Sequence, residues 1–387
     1  MSGAVRRIVV RCMPGRQSHL TKARPCAHSE PDVTHDPTPA RSSLGPRAFR
    51  GRRPNARLPL LAGLLVSLAL AASFASPPAK ASACTVSSKL VPSCGIWWGA
   101  TAGAGHDRAV SLSRFEKVST RTDIYHSYHR LGQKFPTSQE ISMAHARGHK
   151  RLLLLDFLPE GGHSWAQVAR GASDSGIDAE ARYLKSHFTD RFFMTIHHEP
   201  EEEVRPAAGS GHTAEDFRAM FRHVVQRFRK DGVRNVVFVV DYMGTQSYSL
   251  KPWFKDLYPG DDVVDWIAED PYGCVSANVC DSFADTVNRR FSPHSPWPGF
   301  YKWATTNHPG KPIMLAEWGV FGNEGSAAKT NFIKTVPRTI GKFPSLKAVV
   351  YFNSDSPRGD TLIRPGTTAA VAMKKVGSMG VFSQPVP

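Results

Sequence analysis

Two acidic residues end apolar runs that read as buried strands. Glu199 closes Phe-Phe-Met-Thr-Ile-His-His-Glu over 192–199, and Glu317 closes Pro-Ile-Met-Leu-Ala-Glu over 312–317. Taking an ionised carboxylate out of water is expensive unless it is paired, so two hydrophobic strands that both end on acids suggest a chemical use for them. Two facing carboxyl groups can hydrolyse a glycosidic bond. One attacks the anomeric carbon, while the other protonates the departing oxygen and later activates water. That division of labour requires different surroundings, desolvated for the acid and rich in hydrogen bonds for the nucleophile.

Such a pair must be brought together by the elements that carry it. Strand-like runs occur at 95–101, 122–128, 151–157, 192–199, 235–242, 263–270, 313–318 and 348–353, with amphipathic stretches between them. The stretch 214–228 has its apolar residues at helical spacing, Thr213 as a cap before it, and Asp231-Gly232 as a stop after it. Helix, glycine, strand recurs before the third and eighth runs. Eight such units predict an α/β fold, a single (β/α)8 TIM barrel spanning 84–387. A doubly wound sheet is disfavoured, because bulky Gly95-Ile96-Trp97-Trp98-Gly99 stands where a nucleotide-binding glycine loop would follow the first strand. In a barrel, Glu199 on strand 4 and Glu317 on strand 7 face one another across the carboxyl-terminal rim.

Other residues fall at or near that rim. Trp98, Tyr128, Asp156 and Asp241, on strands 1, 2, 3 and 5, are candidate substrate-binding residues. Aromatic faces suit the C–H surface of a pyranose, and carboxylates accept from sugar hydroxyls. Core packing is an equal reading for Trp97. His197-His198-Glu199 is not a zinc-protease signature, since Pro200 follows and Glu occupies position 202. No G-x-S-x-G elbow is present. Neither a metal nor a cofactor is expected.

The motifs His198-Glu199 and Ala316-Glu317-Trp318-Gly319 resemble those of the retaining glycosidase clan with its acid/base on strand 4 and nucleophile on strand 7. Histidine before the first acid is similar to glycoside hydrolase family 26, best known for β-mannanases, over 95 to about 375. The resemblance implies Glu199 as acid/base, Glu317 as nucleophile, and His198 as a ligand of the sugar at the cleavage point. It also implies that Tyr272, in Glu269-Asp270-Pro271-Tyr272, hydrogen-bonds the nucleophile. The chain departs from the pattern in two places. Strand 8 carries Tyr351 and Phe352 where the clan usually has a tryptophan platform, so Tyr351 or Phe352 must substitute, with Tyr351 the candidate substrate-binding residue. Pro200-Glu201-Glu202-Glu203 replaces the usual Met-Asn. The implied activity is retaining endo-hydrolysis of a β-linked polysaccharide, with β-mannan favoured and mixed-linkage β-glucan or β-xylan as alternatives. A catalytically inactive carbohydrate-binding barrel is the rival reading.

The chain has 387 residues and a formal charge of +16, of which nine charges come from twelve Lys and Arg against three acids in residues 1–57. The basicity is therefore largely that of a leader, and no nucleic-acid partner is expected. An apolar stretch at 58–75, preceded by arginines and followed by Ala-Lys-Ala-Ser-Ala, reads as a signal peptide over 47–83 cleaved near Ala83, behind a leader at 1–46. The expected product is secreted and monomeric, without a stable membrane partner, acting on a polysaccharide or oligosaccharide. Export allows the close pairs Cys84 with Cys94 and Cys274 with Cys280 to form disulfides, and neither pair has zinc-ligand spacing.

Overall fold

The apolar runs form eight parallel strands: β1 (Trp97–Ala102), β2 (Ile124–Arg130), β3 (Leu152–Leu158), β4 (Phe192–Ile196), β5 (Val236–Tyr242), β6 (Trp266–Glu269), β7 (Ile313–Val320) and β8 (Leu346–Asn353). The computed structural model describes residues 84–387 except 104–106, 275–279, 291, 323–326, 357–358 and 385. The expected leader and signal peptide lie outside the described residues. Strands β1 to β6 pair in order, β8 pairs with β1, β7 with β8, and β6 with β7, which closes a (β/α)8 barrel. A two-residue strand, Tyr272–Gly273, lies along the end of β7.

Strand alternation sorts the core into two layers. Trp97, Ile124, Leu152, Leu154, Phe193, Val237, Val239, Trp266, Met314 and Val350 fill the lumen. Their neighbours, among them Trp98, Tyr125, Leu153, Phe238, Trp318 and Tyr351, pack outward against the helices. Helix Ala214–Lys230 shows how the sequence builds that outer layer. Thr213 and Asp216 make a reciprocal capping box at its start. Phe217, Met220, Phe221, Val224, Val225 and Phe228 then bury one face. Gly232, at φ +80°, takes the left-handed conformation that ends the helix.

The amino-terminal segment plugs the barrel floor. Leu90 joins the lumen cluster, and the indoles of Trp97 and Trp266 donate to the carbonyls of Leu90 and Lys89, both at 2.7 Å. The Cys84–Cys94 disulfide closes this plug. Cys274–Cys280 forms as well, in the loop after β6.

Candidate active site

The expected strand over 192–199 stops at Ile196, and the three residues after it turn instead. His197 and Glu199 both adopt left-handed backbone conformations, at φ 54° and 50°. Strain of this kind, of order 1 to 3 kcal/mol per residue, persists where the surroundings over-determine it. Here His197 is turned outward, with Nδ1 2.5 Å from Glu160 Oε1 and its ring edge-on to Trp165. The amide of Glu199 donates to the Asp241 carbonyl at 3.2 Å, which ties the end of β4 to β5. Pro200 then starts a short 3-10 turn to Glu202.

Glu317 is aimed into the barrel by an irregularity of β7. Strict alternation, with Met314 and Ala316 inward and Leu315 outward, would send residue 317 toward the helices. A register shift between Leu315 and Trp318 breaks the alternation, so Trp318 faces outward while Glu317 joins Ala316 on the inner side. The Glu317 carboxylate accepts a hydrogen bond on each oxygen, from Tyr128 on Oε1 and from Tyr272 on Oε2. Its amide donates to Asp270 Oδ1 at 2.7 Å. Burial, followed by the charge of Glu317, raises both phenols well above the ordinary tyrosine range, so both remain donors.

Tyr272 is itself tightly held. Its ring stacks on Phe321 with centroids 4.8 Å apart, and its carbonyl accepts from Arg289 at 2.6 Å. Position 319 needs glycine because the ring leaves no room for a side chain: a Cβ there would lie 2.9 Å from Tyr272 Cε1.

On the opposite wall, His198 Nδ1 is ion-paired with Asp156 Oδ2. Burial disfavours the imidazolium, but the Asp156 carboxylate outweighs it and, with Glu199 and Glu317, holds His198 protonated well above its usual range. Burial likewise works against the Asp156 anion, and His198 brings its carboxyl below the usual value. Beneath them His126 is kept neutral, its pKa lowered by burial to about 3.

Two further acids complete the enclosure. Burial pushes the Asp241 carboxyl well above the usual range; His198 opposes this, while Asp156, Glu317 and Glu199 reinforce it. Asp270 is raised in the same direction by burial, then by Asp241, Glu317 and Glu199. Neither carboxyl oxygen of Asp241 has a hydrogen-bond partner among the described residues. Glu199 and Glu317 thus act on the same four groups, His198, Asp241, Asp270 and Tyr272, which places both glutamates in one electrostatic enclosure at the barrel mouth.

The structure gathers Glu199, Glu317, His198, Tyr272, Tyr128, Asp156 and Asp241 there. It does not bring Trp98 or Tyr351. Both rings are fully buried in the outer layer, Trp98 against Phe115 and Phe382, and Tyr351 against Phe115 with its hydroxyl on the Thr361 carbonyl. This corrects the expectation that they bind substrate, and the cause is parity: residues 98 and 351 fall on the helix-facing sides of β1 and β8. Phe352, one position on, is half-buried, with its ring edge-on to Tyr272 at 6.1 Å. Sequence reasoning did not assign roles to Asp270, which receives the Glu317 amide, or to Arg289, which anchors Tyr272.

No family model matches the chain. The β-1,3-xylanase TXYA of a Vibrio species is 28% identical over 174 residues, 43% of this chain and 32% of that protein. Endoglucanase H of Acetivibrio thermocellus is 23% identical over 238 residues, 61% of this chain and 25% of that protein. The chain therefore matches about a third or less of the length of these relatives. Among solved structures, a ruminal GH26 endo-β-1,4-mannanase superposes with a TM-score of 0.52 at 13% identity, over 74% of this chain and 64% of that one. That likeness is one of fold.

Proposed function

We propose that this protein is a retaining β-glycoside hydrolase of the family 26 type, with Glu199 as acid/base and Glu317 as nucleophile. The observation that carries the reading is the setting of Glu317, a carboxylate at the end of β7 accepting a tyrosine hydroxyl on each oxygen, in the same enclosure as Glu199 at the end of β4. Hydrogen bonds to both oxygens fix the orientation a nucleophile needs. In the first step Glu317 attacks the anomeric carbon and Glu199 gives its proton to the departing oxygen. In the second, Glu199 takes a proton from water, whose oxygen displaces Glu317.

His198 carries positive charge beside both glutamates, where it steadies the Glu317 anion before attack. Asp241, with neither carboxyl oxygen bonded, is suited to a sugar hydroxyl. The substrate proposed is a β-linked polysaccharide, with β-mannan favoured and mixed-linkage β-glucan or β-xylan as alternatives. The names of the xylanase and endoglucanase relatives keep those alternatives in play. The disulfides Cys84–Cys94 and Cys274–Cys280 support export, and we propose that the protein works outside the cell.

The test is reducing-end release from the three polysaccharides by the wild type and by Glu317→Gln. Hydrolysis of at least one by the wild type, with a loss of a thousandfold or more in the variant, is expected. Equal rates would sink the assignment.

A further inference from the structure

Each oxygen of Glu317 accepts a tyrosine hydroxyl in the free protein, and whichever oxygen attacks loses its negative charge as the ester forms, so the hydrogen bond on that oxygen weakens. The two donors are not equivalent. Tyr272 is fixed by its stack on Phe321, by Arg289 on its carbonyl, by pairing with Gly319, and by the absence of a side chain at 319. Tyr128 and Tyr272 are both half-buried and both strand-paired, but among the described residues the aromatic rings beside Tyr128 are the tilted ones of His126 at 4.5 Å and His198 at 5.5 Å. Among the described residues no aromatic ring stacks face to face on it.

We propose that Oε1 of Glu317 is the attacking atom and that Tyr128 is its displaceable cap, a positioning residue that gives way to the sugar while Tyr272 keeps Oε2 throughout. The inference rests on the reading of Glu317 as nucleophile. In the step it describes, the bond from Oε1 to the anomeric carbon forms as the bond from that carbon to the departing oxygen breaks. The departing oxygen receives the Glu199 proton. Tyr128 keeps its own proton, and its hydroxyl is freed to donate to the incoming sugar. In the free protein the cap holds the carboxylate oriented until a sugar competes for the Tyr128 hydroxyl.

The groups facing Glu317 are Tyr128 from β2, His198 and Glu199 from the end of β4, Asp241 from β5, and Asp270 and Tyr272 from the end of β6. Removing only the Tyr128 hydroxyl leaves the others in place.

The experiment treats the wild type with activated fluoro-sugar aryl glycosides of the mannose, glucose and xylose series, and determines the crystal structure of the trapped glycosyl-enzyme. The expected ester runs through Oε1, with Tyr128 Oη out of hydrogen-bond reach of Glu317 and Tyr272 Oη still on Oε2. An ester through Oε2, or Tyr128 still bonded to Glu317, overturns the inference. Trapping rates of two variants supply the second readout. In Tyr128→Phe trapping should slow by no more than about tenfold, because that hydroxyl has left Glu317 when the ester forms, whereas in Tyr272→Phe it should slow by about a hundredfold. Equal losses in the two variants also overturn the inference. Failure of the wild type to react with any of the three series strikes instead at the glycosidase reading, and the inference falls with it.

Discussion

His198 and Asp156 form an ion pair at the barrel mouth in which the carboxylate has no solvent-exposed surface and the imidazole borders the cleft. Each partner offsets the cost of burying the other, so the pair works as a unit. The lumen-facing position of Asp156 on β3 and the turn after Ile196 on β4 create it, and it fixes both the orientation and the charge of the ring beside Glu199 and Glu317.

Asp156→Asn keeps the shape and removes the charge. Without the carboxylate, burial is opposed by Glu199 and Glu317 alone among these acids, and the His198 pKa should fall. The expected result is a loss of about a hundredfold in kcat/KM, with the change in His198 visible by nitrogen-15 NMR of the imidazole. A variant whose ring titrates as in the wild type would refute the coupling.

Gly319→Ala probes the hold on Glu317 from the other side. Its Cβ would press on the Tyr272 ring, which is backed by Phe321 and cannot retreat. The tyrosine hydroxyl is expected to leave Oε2 and kcat to fall about tenfold to a hundredfold, while overpacking costs about 1 to 3 kcal/mol in stability. Wild-type kcat in a folded variant would show that Tyr272 does not position Glu317.

Parity separates two aromatic residues that look alike in sequence. Trp98→Ala should lower stability by about 3 to 5 kcal/mol through the cavity it leaves, with KM unchanged. Phe352→Ala should spare stability and raise KM by about threefold to tenfold. Denaturant melts and saturation kinetics on the same two variants check both halves, and the opposite pattern would return Trp98 to the cleft.

Three of the buried acids contribute a defined part of the dependence of stability on pH. Burial raises Asp123 and Glu201 to about 7 and Glu180 to about 8, each above its unfolded value. A raised carboxyl favours the folded state fully below the unfolded pKa, and that contribution is lost as pH rises through the folded pKa. The protein should therefore lose stability between about pH 5 and 8. Glu180→Gln, at a site where the side chain accepts the Phe135 amide, should reduce that loss by on the order of 2 kcal/mol. Melting temperatures across the range decide the point; identical slopes would contradict it.

Much of this architecture can be read from residue patterns. Eight apolar runs separated by capped amphipathic helices lead to the barrel, because a parallel strand buried on both faces needs a continuous apolar run and a crossover helix between neighbours. The placement of Glu199 and Glu317 follows, as does the bond from Tyr272 to Glu317 expected on resemblance. What escapes the pattern is orientation. The facing of Trp98 and Tyr351 depends on strand phase, which continuous apolar runs conceal because both faces are hydrophobic. Glu317 turns inward only through a break in that phase, and Tyr128 meets it from a strand 189 residues away in sequence.

Double displacement by Glu199 and Glu317 would preserve the configuration at the anomeric carbon. Proton NMR of the first products from the preferred polysaccharide, recorded before the anomers equilibrate, tests it most directly. The newly formed reducing end should appear first as the β-anomer, the configuration of the bond that was cut. An initial α-anomer would show that water, and not Glu317, attacks the sugar.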